Sequence, residues 1–138
     1  MNRQQLLDFA SRYIAWINKN PSDEATLSKL MSRAISMPVQ YPGAIPTYDG
    51  TVKFMEDLHA ASNDINFEII DTCVDELQCS ITLICRATGT HSGFSFPANR
   101  ADGCREWLGI ARTGKKFENK CFIMMKVLSL YCRDLMLA

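Results

Sequence analysis

Apolar and polar positions alternate in two different rhythms along this chain, and the change comes near residue 65. Over residues 3–19, Leu6, Leu7, Ala10, Tyr13, Ile14 and Ile17 recur at helical spacing and predict an amphipathic helix. Asn18, Asn20 and Pro21 break that pattern, and Ser22 then offers an N-cap, with Asp23 and Glu24 in the first turn. A second helix is predicted with Leu27, Leu30, Met31, Ala34 and Ile35 inward. The stretch "MPVQYPGAIPTYDG" has three of the five prolines and two glycines, so it predicts an irregular connection. From Asp49 or Thr51 a third helix brings Val52, Met55 and Leu58 inward and closes near "AASND".

Beyond that point the rhythm shortens. "INFEIIDTCVD" and "SITLICRATGTH" are rich in β-branched and apolar residues, and "ELQ" between them suits a hairpin turn. "FSFPANRADG" reads as a longer turn, "CREWLGIAR" as a third strand, "TGKK" as a turn and "FENKCFIMMK" as a fourth strand. The closing "VLSLYCRDLMLA" has helical spacing and predicts a short terminal helical turn. Three helices followed by a four-stranded meander make an α+β pattern, a curved antiparallel sheet with helices on one face. Such a sheet encloses a cone-shaped cavity, where small molecules bind.

Alternation sorts the strand residues by face. On the second strand Leu83, Cys85, Ala87, Gly89 and His91 share one small, apolar side, which puts His91 at the lip of the cavity wall. Arg86 points the other way, toward solvent or a partner subunit. On the first strand Phe67, Ile69, Asp71 and Cys73 share a face, so a covered face would make Asp71 a buried carboxylate in need of a partner. On the third strand Arg105 and Trp107 alternate with Glu106, and periodicity leaves open which set faces inward.

Composition narrows the function. The 138 residues suit a single domain spanning 1–138, with 15 basic and 15 acidic residues and no net charge. That balance argues against nucleic acid, whose phosphates demand a clustered positive surface. No apolar run reaches the roughly 20 residues of a membrane span, and the amphipathic first residues do not resemble a signal peptide. The six cysteines form no CxxC pair, so buried reduced thiols in a cytoplasmic protein account for them better than disulfides or a metal site. His59, late in the third helix, reads as a solvated or capping residue.

Together "LHAASNDINFEIIDTCVDE", "ATGTHSGFSF" and "GIAR" resemble the SnoaL-like polyketide cyclase family of the nuclear transport factor 2-like superfamily. Gly89-Thr90-His91-Ser92-Gly93 matches that family's central motif, "SND" stands at its turn, Gly109-Ile110 falls in register and "MKVLSLYCRDL" resembles its closing segment. The resemblance covers roughly residues 5–135. It implies a homodimeric, cofactor-independent α+β barrel enzyme of secondary metabolism, with a polyketide, terpenoid or alkaloid intermediate as substrate.

In the family's cyclases the motif histidine works with an aspartate on the following strand. By register that position is Arg105 here, which removes the expected pair. A His91 base with an Arg105 oxyanion clamp instead suits proton abstraction beside a carbonyl, since imidazole exchanges protons near neutrality and guanidinium stays cationic. Asp71 and Glu106 are reserve carboxylates. Tyr41 and Tyr48 can rim the cavity, and Met31, Phe54, Phe94, Trp107 and Met124 can shape it. Two rivals share the scaffold: an epoxide hydrolase, although "CRATG" lacks the adjacent Asp of relatives resembling limonene epoxide hydrolase, and a non-catalytic ligand-binding or dimerisation module.

Overall fold

The computed structural model of the chain describes residues 1–19, 24–36, 47–91, 106–107, 110–111, 113–128 and 131–137. Its order is α1 (Arg3–Lys19), α2 (Glu24–Leu30), β1 (Met31–Ser36), α3 (Tyr48–Ala61), β2 (Asn66–Asp75), β3 (Ser80–Thr90), β4 (Glu106–Trp107), β5 (Ile110–Ala111), β6 (Lys116–Leu128) and β7 (Tyr131–Leu137). Five strands form one sheet in the order β1-β7-β6-β3-β2, antiparallel except for the β1–β7 pair. The architecture is α+β, with helices packed on the sheet, as the sequence predicts.

The apolar stripes explain the packing. α1 buries Leu6, Phe9, Ala10, Tyr13, Ile14, Trp16 and Ile17, and its neighbours in the sheet are β2 and β3. The sheet answers with Ile81, Leu83 and Cys85 of β3 and Ile123, Met125 and Val127 of β6, all fully buried in one cluster with Leu27, Leu30, Met31, Met55 and Leu58. Each such Leu or Ile contributes about 1.5–3 kcal/mol through area removed from water. α3 starts at Thr47, whose side chain accepts a hydrogen bond from the Gly50 amide at 3.2 Å. At its other end the His59 Nε2 lies 2.7 Å from the Ile17 carbonyl, so the imidazole ties α3 to the last turn of α1.

Among the described residues β2 lies at the sheet edge, where one row of its backbone groups has no neighbouring strand. Asn18 covers it: its amide donates to the Phe67 carbonyl at 2.8 Å and accepts from the Phe67 amide at 2.7 Å. The β2–β3 hairpin turns through 76–79, where "ELQ" predicts a turn, and Cys79 there has φ 49°.

Three predicted elements differ. Helical periodicity extends the second helix through Met31, Ala34 and Ile35, yet α2 ends at Leu30 and Met31–Ser36 is a strand. The closing segment is a strand too, since β6 runs to Leu128 and Tyr131–Leu137 forms β7. These two segments pair with each other, and β7 also pairs with β6, so long-range ladder bonds override two short helical patterns that are weak in isolation. The predicted third strand of the meander instead forms two short strands paired with each other, Glu106 opposite Ala111 and Trp107 opposite Ile110, apart from the large sheet.

Candidate active site

β3 delivers His91. Ile81, Leu83, Cys85 and Ala87 are buried on the inner face, the residues between them are half-buried on the outer face, and His91 keeps the inward parity at 8% exposure. Its backbone is held at both ends: the His91 amide donates to the Lys115 carbonyl at 2.9 Å, and its carbonyl accepts from the Gly114 amide at 2.8 Å. Gly114 makes that bond at φ +67°, in the left-handed region that favours glycine.

The residue before it is fixed as well. The Thr90 amide donates to Asp64 Oδ1 at 2.7 Å and to Ser62 Oγ at 3.1 Å, while the Thr90 hydroxyl donates to Asp64 Oδ2 at 2.8 Å. The Ser62 hydroxyl in turn donates to Asp64 Oδ1 at 3.0 Å. These bonds, those from Thr90 foremost, hold the Asp64 carboxyl below its ordinary pKa because they favour the charged form. Gly89 makes the approach possible: a Cβ there would lie 2.4 Å from Ser62 Oγ and 2.8 Å from Phe117 Cζ. The turn after α3 and the turn before β6 thus clamp the end of β3, and His91 is held between them.

The structure does not bring every nominated residue to this place. Asp71 is exposed on the outer face. A bulge lies between Ile69 and Asp71: Ile69 pairs with Cys85 and Asp71 with Ile84, so the parity of β2 flips. Thr72 and Val74, not Asp71 and Cys73, continue the inner side, and the Asp71 carboxylate accepts a hydrogen bond from the Thr72 amide at 2.8 Å. Met124 is 47% exposed on the outer face, because on β6 the odd-numbered positions Cys121, Ile123, Met125 and Val127 are the inward ones. Met31 and Tyr48 are buried in the apolar cluster and Phe54 is half-buried against it. Glu106 and Trp107 lie in β4 with their side chains outside the description, and Arg105, Tyr41 and Phe94 lie outside the described residues. Arg86 points outward as expected. It pairs with Glu68 at 3.6 Å and Glu118 at 3.0 Å, the latter an ion pair too bent for a hydrogen bond.

Sequence reasoning missed three polar residues. Ser62 and Asp64 stand in "SND", whose turn was legible but whose grip on Thr90 needed the packed strand. Asp57 is 1% exposed on α3, bonded through Oδ1 to Lys53 Nζ at 2.6 Å, while its Oδ2 has no hydrogen-bond partner among the described residues. The Lys53–Asp57 spacing of four residues is the signal for that pair. Of the four cysteines whose side chains are described, all free, only Cys85 is buried; Cys73 is exposed and Cys79 and Cys121 are half-buried.

A groove of about 410 Å³ lies elsewhere, between α1 and α2. Arg12, Lys19 and Lys29 line it beside Trp16, Thr26 and Leu30. Among the described residues it holds cations but no imidazole or carboxylate.

No protein-family model and no curated protein matches the chain. Solved structures match it in fold. TsrD from Streptomyces laurentii is 13% identical, with a TM-score of 0.77 over 100% of this chain and 90% of its own. A SnoaL-like polyketide cyclase from Agrobacterium tumefaciens is 13% identical, with a TM-score of 0.71 over 96% of this chain and 89% of its own. PrhC from Penicillium brasilianum is 15% identical, with a TM-score of 0.69 over 98% of this chain and 80% of its own. The chain has the α+β fold seen in these SnoaL-like polyketide cyclase structures.

Proposed function

We propose that this protein is a cofactor-independent isomerase or cyclase that acts on a bulky, mostly apolar natural-product intermediate by acid/base chemistry at His91. The supporting observation is the double clamp on the end of β3, which buries an imidazole and fixes its backbone from both sides. A structural histidine needs no such positioning, whereas a general base must meet its proton within hydrogen-bond reach. The fold shared with a polyketide cyclase supports a polyketide, terpenoid or alkaloid substrate class.

In this reading His91 takes a proton from the carbon beside a substrate carbonyl and returns it at another position, or lets the carbanion close a ring. Arg105 holds the oxyanion as charge develops. Glu106 is the carboxylate that remains available, since Asp71 faces outward. Tyr41, Tyr48, Phe54, Met31, Phe94 and Trp107 shape the apolar surroundings. The protein acts as a homodimer through the outer sheet face, where Phe122, Met124 and Ile70 are 48%, 47% and 39% exposed around half-buried Ile84.

The test is turnover in deuterated, heavy-oxygen water on a panel of cyclic and linear natural-product ketones. The expected result is solvent deuterium at the α carbon with no solvent oxygen in the product, lost in His91→Phe while the far-UV circular dichroism is kept. Solvent oxygen in the product would establish the epoxide hydrolase instead. Full turnover by His91→Phe would remove His91 from the mechanism.

A further inference from the structure

β3 and β6 carry two thiols in direct opposition. Cys85 pairs with Cys121 in the antiparallel ladder, and both occupy inward positions of their strands. Directly opposite residues of an antiparallel pair hold their Cβ atoms about 4.5–5.5 Å apart. A disulfide needs about 3.5–4.5 Å, so a small approach of the two strands suffices. The two side chains therefore face each other across the ladder on the inner side of the sheet. Cys73, in the β2–β3 ladder, faces Thr82 rather than a second thiol.

Access differs between the two. Cys85 is fully buried, while Cys121 is half-buried on a part of β6 that β7 leaves uncovered, because β7 pairs only from Ile123 onward. Cys121 is therefore the more accessible of the two residues. The acid/base reading of His91 uses neither, and six residues of strand, about 20 Å, separate Cys85 from that site.

We propose that Cys85 and Cys121 form a cross-strand dithiol that reduces hydroperoxides and closes to a disulfide, with Cys121 as the attacking sulfur and Cys85 as the resolving one. Interaction with the Cys85 thiol holds Cys121 below its ordinary pKa, and the same interaction, with burial, pushes Cys85 up. The Cys121 thiolate attacks one peroxide oxygen: an S–O bond forms, the O–O bond breaks, and the leaving hydroxide takes the proton shed by Cys121 to become water. Cys85 then attacks the sulfenic sulfur, the S–S bond forms, the S–O bond breaks, and the departing hydroxide takes the Cys85 proton. Two thiols and one hydrogen peroxide give one disulfide and two waters, with two electrons passing from sulfur to oxygen.

The test treats the fully reduced, folded chain with one equivalent of hydrogen peroxide, blocks remaining thiols, and maps tryptic peptides by mass. Cys121 is released in peptide 121–126 and Cys85 in peptide 54–86, which also holds Cys73 and Cys79. A Cys73→Ser/Cys79→Ser background therefore makes the assignment unique. The expected product is the 54–86/121–126 pair, two hydrogens lighter than the separate peptides and split by dithiothreitol. In Cys85→Ala a dimedone adduct on Cys121 should accumulate instead. If that variant does not fold, the linkage in the parent chain decides alone. Accumulation of Cys121 sulfinic acid beside an unmodified Cys85, or linkage of Cys121 to Cys104 or Cys132, would overturn the proposal.

Discussion

Gly89→Ala tests the clamp that presents His91, because the structure fixes both the obstacle and its remedy. The added Cβ would sit 2.4 Å from Ser62 Oγ, 2.8 Å from Phe117 Cζ and 3.1 Å from Phe117 Cε1, where ordinary contact is 3.4–4 Å. Ser62 is 2% exposed and bonded to both Thr90 and Asp64, so its hydroxyl cannot swing aside without losing those bonds. Overpacking of this kind costs about 1–3 kcal/mol, and a lost neutral hydrogen bond adds about 0.5–1.5 kcal/mol. The expected destabilisation is about 2–4 kcal/mol, and each kcal/mol lowers Tm by about 3–5 °C in a chain of this size. Urea unfolding followed by far-UV circular dichroism measures it. Ser62→Ala removes the nearest obstructing atom, so Gly89→Ala should cost at least about 0.5 kcal/mol less in a Ser62→Ala background. A Gly89→Ala protein within about 0.5 kcal/mol of the parent, or one whose penalty Ser62→Ala leaves unchanged, would refute the reasoning.

Other expectations follow from the same contacts. Asp64 has a depressed pKa when folded, so its contribution is full above the unfolded value of about 3.9 and fades as pH falls through the lower folded value. Stability profiles between about pH 5 and 2 should therefore be flatter in Asp64→Asn than in the parent, and parallel profiles would count against the Thr90 bonds as the cause. Asn18→Ala removes both bonds that cover the β2 edge at Phe67 and should cost about 1–3 kcal/mol, with amide exchange at Phe67 accelerated. Phe122→Ser combined with Met124→Ser should shift sedimentation from dimer to monomer while far-UV circular dichroism stays unchanged; an unaltered dimer would place the interface elsewhere.

Much of this protein is written locally. The stripe of α1, the alternation of β3 and the inward parity of His91 follow from side-chain spacing, because helix and strand each impose a fixed period on which residues share a face. The hairpin at 76–79 and the N-terminal end of α3 near Thr47 are short-range features too, set by turn and capping chemistry. Where the sequence misled, the deciding partner was distant. Met31–Ser36 and Tyr131–Leu137 have helical spacing, but each is the strand partner of the other across about 100 residues of chain. A pattern confined to six or seven residues cannot report such a ladder.

The site divides along the same line. The sequence by itself determined that His91 lies at the inner end of an apolar strand and that Arg86 faces out. Only the tertiary structure decided the fate of Asp71, since a single-residue bulge, invisible in composition, reverses every side chain beyond it. It alone brought Ser62 and Asp64 to Thr90, 26 to 28 residues away in the chain. It alone set Cys85 opposite Cys121, which the sequence offers only as two thiols among six. Periodicity tells a residue which way to face; register tells it whom to meet, and register is a property of the folded sheet.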